Sequence, residues 1–410
     1  MKRLAALLTA LTCVSALVVP CLWDRDTLRY EAQGLPGVVE VITGRFEREP
    51  ARFYEVRLER VARELAADPT KLDLYDDAGV ACDRLHRGDE ALAWMERKSA
   101  QLDATPDSPA KREALYRYHA NLGTFLAHRW LRAGADRAAL DDLRSGREHI
   151  QRAIELNPDA HFGRERYQLF ALDWLIELPS PSKPGFDFDQ EPWTLLDACP
   201  PELRLLPRDI FRTQPSGADP NAAAAAKALA GLIVMGDAWQ SVDVFNALSR
   251  SLESQGHSSV AYLAALRAQE LARAGRRSLH PELAAADPEF ARRTASFAHY
   301  FESAEPLREV EEFFVSARDE ADDWHARRTA FVLRQLDAGR DPDTDPEFWS
   351  SYTSAAAPTP PGVLISGREA EDRSFFALLG IAGIFAFAFV AGGVALARRA
   401  WRRRRASAAR

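Results

Sequence analysis

Residues 375–397, FFALLGIAGIFAFAFVAGGVALA, run for 23 positions without a charge. As a helix they cover about 34 Å, enough to cross bilayer hydrocarbon with some tilt. A soluble helix of that length carries a polar face, and this segment has none. Arg398, Arg399 and four arginines at 402–405 follow at once. Such a cluster stays in the cytoplasm, because moving it across the membrane is costly. The expectation is a membrane helix over 374–397 with a basic cytoplasmic tail at 398–410.

The other end fits the same topology. Met1-Lys2-Arg3 precedes an uncharged, mostly apolar run at 4–19 with small residues at Ser15 and Ala16. Residues 1–21 read as a signal peptide or an N-terminal anchor, and either places the large middle part outside the cytoplasm. Outside the two ends, 44 basic residues face 60 acidic ones, so this external part carries about −16 within an overall −7. That balance argues against nucleic-acid binding. Four cysteines with no CxxC pair give neither a disulfide framework nor a thiolate metal site.

From 52 to about 338 the chain reads as almost wholly helical, rich in Ala, Leu, Arg and Glu, with apolar residues three and four apart. Small residues recur at matching places. One stretch runs Tyr75-x-x-Ala78-Gly79-x-x-Cys82 with Ala91 and Met95 beyond it, and a second runs His119-x-x-Leu122-Gly123-x-x-Leu126. The continuation of the second, Gly146-x3-Ile150-x2-Ala153-x4-Pro158, arrives 11 residues late, which an insertion near 133–143 explains. A third stretch is Phe245-x-x-Leu248-Ser249-x-x-Leu252, followed by Gly256, Ala261, Ala265 and Ala268. These residues resemble the tetratricopeptide repeat family, in which two antiparallel helices make a unit of about 34 residues. The resemblance implies an all-α, α-solenoid external domain. Its small residues (Gly79, Ala91, Gly123, Ala153, Gly256, Ala261, Ala268) would let helices approach closely, and Pro158 would close a unit. The chain departs from the family pattern in lacking Trp at the first large position.

The expected organisation is therefore helical repeats over 22–178, a Pro-rich ordered crossover at 179–220, and further helices over 221–340 with a repeat-like unit at 240–275. A Pro-containing stalk at 341–373 would then lead to the membrane.

No catalytic motif stands out. HExxH, GxSxG and GxxxxGK[ST] are all absent, and the nine histidines are scattered. His119 and His128 lie nine apart on one helix, on opposite sides, and cannot share a metal. No metal or other cofactor is expected. The family resemblance implies instead a concave groove lined by the first helix of each pair. Carried over by position, the lining is Asp73, Asp76, Val80, Asp83 and Arg84, then Arg117, Thr124 and His128, then Glu165, Asp243, Asn246, Arg250 and Glu253. Such an acidic face suits a basic or mixed-charge protein or peptide. The sequence thus points to a non-enzymatic, membrane-anchored scaffold outside the cytoplasm. The alternative is an envelope enzyme or enzyme subunit with its site in the non-repeat parts.

Overall fold

The computed structural model describes residues 37–158, 164–177, 220–236, 238–254, 257–279 and 304–365. Among them the protein is all-helical, with twelve α-helices, one 3-10 turn and no strand. The chain divides at Pro361/Gly362 into two units, and in the second the described element is a four-residue helix, Gly362–Ile365.

The first unit begins with α1 (Val38–Thr43) and α2 (Ala51–Ala67), then α3 (Leu72–Arg84), α4 (Gly88–Ala104), α5 (Pro109–Arg132), α6 (Asp141–Leu156) and α7 (Arg164–Glu177). It continues with α8 (Pro220–Met235), the 3-10 turn Ala238–Gln240, α9 (Val242–Ser254), α10 (Ser258–Arg273) and α11 (Ala304–Asp337). From α2 onward each helix packs against the next in sequence as far as α11, and α3 also touches α5. Paired residue numbers show the direction: 76 meets 98 and 79 meets 95 across α3 and α4, while 112, 119, 123 and 129 meet 156, 149, 146 and 142 across α5 and α6. Rising numbers on one helix meet falling numbers on the other, so both pairs are antiparallel.

Local chemistry sets the boundaries. Ser108 caps α5, its hydroxyl oxygen accepting from the Lys111 N–H at 3.1 Å with Pro109 in the first turn. Gly44 ends α1 in the left-handed region at φ 87°, and a Cβ there would lie 2.4 Å from the Trp239 ring. Only glycine meets both conditions. The late second repeat has a divided cause. Helix α5 runs nine residues past Gly123 where α3 runs five past Gly79, and the following turn takes 133–140 where its counterpart takes 85–87. Pro158 is exposed just beyond the end of α6, and Gly256 lies outside the described residues.

Two elements bind the ends of the unit together. The 34-residue helix α11 buries Val310, Phe314, Ala317, Ala321, Trp324, Arg328 and Phe331, a seam stepping by four and three. That seam packs on α10, α1 and α2. Residues 341–354 then turn back along α2 instead of leaving the domain. Phe348 is fully buried with Phe53, Phe331, Val332 and Leu336, and Trp349 stacks on Phe331 with centroids 5.7 Å apart. Asp343, 4% exposed, receives a two-pronged ion pair from the wholly buried Arg57 at 2.8 Å on each arm, and a third bond from Arg60 at 2.6 Å. Farther on, the Trp324 indole N–H donates to the Ser354 hydroxyl at 2.8 Å. The expectation of a stalk from 341 is corrected at its start by these contacts: Phe348 and the Asp343 side chain are packed against α2 and α11.

Candidate functional site

The residues expected to line a groove fall on the first helices of the pairs, and most of them face neighbouring helices. Every residue of α3 from Leu74 to Asp83 is buried. The physical reason is crowding. Helices α2, α4 and α5 all pack on α3, and at its end Arg84 donates to the Met235 carbonyl of α8 at 2.7 Å. Helix α8 is apolar apart from Asn221 and the exposed Lys227, and it buries Ala225, Ala228, Leu229, Leu232, Ile233, Val234 and Met235.

The buried polar groups form layers across the stack. Asp76 accepts two hydrogen bonds from the fully buried Lys98 at 2.6 Å and one from Asn121 at 3.0 Å, tying α3 to α4 and α5. Burial pushes the Asp76 carboxyl up to about 6 against the pull of Lys98, and burial likewise lowers the Lys98 ammonium. Asp83 accepts from the His128 Nδ1–H at 2.7 Å and from Arg132 at 2.5 Å. Burial alone would raise its carboxyl, but the adjacent His128 and Arg132 outweigh that and hold it below the usual carboxylate range. Farther along, the Tyr116 hydroxyl donates to Glu165 at 2.6 Å and Gln168 donates to Thr124 at 3.3 Å, joining α5 to α7. Asp243 accepts from the Ser278 hydroxyl at 2.5 Å and the Leu279 N–H at 3.0 Å, and burial raises it to about 6. Asn246 is buried and Arg250 half-buried. On the same helix, burial raises Glu253 to about 7.

An open lining made of Asp76, Val80, Asp83, Thr124, His128, Glu165, Asp243 and Asn246 is therefore corrected: these side chains lie inside the helix stack. Asp73 stays at the surface, its side chain 80% exposed, and takes one bond from the largely covered Arg117 at 3.3 Å. The buried pairs act as registers. A buried ion pair adds little net stability, yet removing one partner strands the other charge.

Several of the small residues sit at close helix contacts. A Cβ on Gly79 would lie 2.9 Å from both Met95 and Phe125, and one on Gly123 would lie 2.7 Å from the Gly146 carbonyl oxygen. Ala91, Ala153, Ala261 and Ala268 are wholly buried, and the Ser249 hydroxyl donates to the Ala261 carbonyl at 2.7 Å.

Two further features correspond to no sequence motif. The Nδ1 atoms of His119 and His149 meet at 2.8 Å between α5 and α6. A register argument reaches this pair: with Gly123 crossing Gly146 in an antiparallel pair, the residue four before one faces the residue three after the other. The second feature is a shallow open depression of about 540 Å³ on α11, lined by Glu311, Glu312, Val315, Ser316 and Asp319. Val315 is 60% exposed, the one large apolar side chain so exposed among the described residues. Also among the described residues, no group of three or more His, Cys, Asp or Glu is arranged to hold a metal, and no helix is long and apolar enough to cross a membrane. Segments 1–21 and 374–397 and the crossover at 179–219 lie outside those residues. Comparison of the chain with known protein families, curated proteins and solved structures finds no match.

Proposed function

We propose that this chain is a membrane-anchored, non-enzymatic protein whose tetratricopeptide-like helix pairs stand outside the cytoplasm and bind a partner protein or peptide of basic or mixed charge. The observation that supports this reading most is the burial of Gly79, Gly123, Ser249 and their partner alanines at the helix–helix contacts, the arrangement that the family resemblance implies. Anchoring rests on the charge-free 23 residues and the arginine cluster behind them. The excess of acidic residues supplies the partner's charge preference. Since the first-helix residues are mostly taken up in the stack, the partner-facing surface in this reading is the exposed Asp73 and the acidic depression around Val315.

Site-specific photo-crosslinking in native membranes tests it. A photoreactive residue at Val315 should trap a discrete adduct that is lost on Glu311→Lys/Glu312→Lys. An identical adduct pattern from the exposed Asp107 (99% exposed side chain), or no adduct at 315, would remove the surface from the account. Topology is separately checked with Asp107→Cys, which should react with a membrane-impermeant thiol reagent while the cytoplasmic membrane is intact. Labelling only after lysis would place the domain inside.

A further inference from the structure

We propose that His119 and His149 form a site for a divalent transition-metal ion, zinc or copper(II), stapling α5 to α6. The two imidazoles come from facing turns of an antiparallel pair and stack with centroids 5.1 Å apart, their Nδ1 atoms 2.8 Å from one another. Two neutral rings can hold that contact only by sharing one proton, the Nδ1–H of one donating to the Nδ1 lone pair of the other. Among the described residues neither ring has a carboxylate or carbonyl hydrogen-bond partner to fix its tautomer.

A cation can take the shared proton's place when the donating ring shifts that proton to its own Nε2, which leaves two convergent Nδ1 lone pairs. Zinc–imidazole bonds of about 2.0–2.1 Å at a tetrahedral angle need the nitrogens about 3.4 Å apart, so the rings must open by about 0.6 Å. Both rings are half-buried, which leaves a path for the ion and for the waters that complete its coordination. Nitrogen donors select zinc, copper or nickel over calcium and magnesium, which take oxygen. Nearby charges divide: Arg152 opposes a cation, while Glu155 and Glu148 favour one. Tyr118 closes one side, its ring edge-on to both imidazoles at 5.0 and 6.2 Å.

The test uses the full-length, tag-free protein in detergent. Added Zn2+ should raise the thermal midpoint of the wild type, and His119→Gln or His149→Gln should cut zinc affinity by ~10-fold or more. No zinc dependence in the wild type, or the same dependence in both variants, would overturn the proposal. Should a variant fail to fold, residue-resolved carbethoxylation of the wild type decides the matter. Zinc should protect the peptides containing His119 and His149, and equal modification with and without zinc would end the idea.

Discussion

Between α3 and α6 the helices approach through missing side chains; around Asp343 they are joined by the longest ones. In the first region Gly123 and Gly146 bring two backbones into contact and Gly79 admits Met95 and Phe125. In the second, Arg57 and Arg60 reach across to a carboxylate more than 280 residues away, and Arg57 lies over the Phe53 ring, which packs in one cluster with Phe348, Trp349 and Tyr352. Close approach makes packing depend on volume, where the cost of error is steric. A buried charge clamp makes it depend on completeness, where the cost of losing one partner is electrostatic.

The largest effect should follow from breaking the clamp. Asp343→Ala leaves two arginines in a buried site, one of them fully enclosed, and should lower stability by about 3–5 kcal/mol in denaturant titrations. Gly123→Ala tests the other mode, with an expected loss of about 1–3 kcal/mol. The obstructing atom there is a backbone oxygen, so the loss should exceed that of Gly79→Ala, where the obstructing atoms are side chains, the Met95 methyl and the Phe125 ring. Equal losses at 79 and 123 would show that the backbones can separate.

Acid sharpens the contrast within the stack. His119 is held below its unfolded value of 6.5, so the unfolded chain binds the proton first. Its contribution is complete above pH 6.5 and is lost as pH falls toward about 4. Asp76, raised to about 6, acts oppositely, its contribution being present below pH 3.8 and lost as pH rises through 6. In chelator-treated protein, wild type compared with His119→Gln should isolate the first effect as about 1 kcal/mol over that window, after allowance for solvent screening. Parallel stability–pH curves would refute it. The smallest effect belongs to Asp73→Ala, within about 0.5 kcal/mol, because its carboxylate is solvated.

The stack was legible in the sequence because its contacts are local. Gly79 and Ser249 each have a partner alanine twelve residues on, Gly123 has Gly146 eleven residues later than that, and such spacing marks paired helices. The same reasoning placed Asp76 and Asp83 on the correct helix but facing the wrong neighbour. Helical periodicity gives a side chain's direction and says nothing of which later helix, here α8 beside Arg84, will cover it. Residues 341–354 were harder still. Their prolines and aspartates resemble a tether, and the partners that make Asp343 and Phe348 part of the core lie on α2 and α11. The His119–His149 contact stands between these cases, absent as a motif and reachable only through the glycine crossing.

Hydrogen exchange read by mass spectrometry on wild type and Asp343→Ala compares the two regions most directly. Loss of the clamp should speed exchange in α2 and α11 while the amides of α5 and α6 keep their protection. Unchanged protection of α2 and α11, or equal loosening of all four helices, would contradict a domain closed by its own last residues.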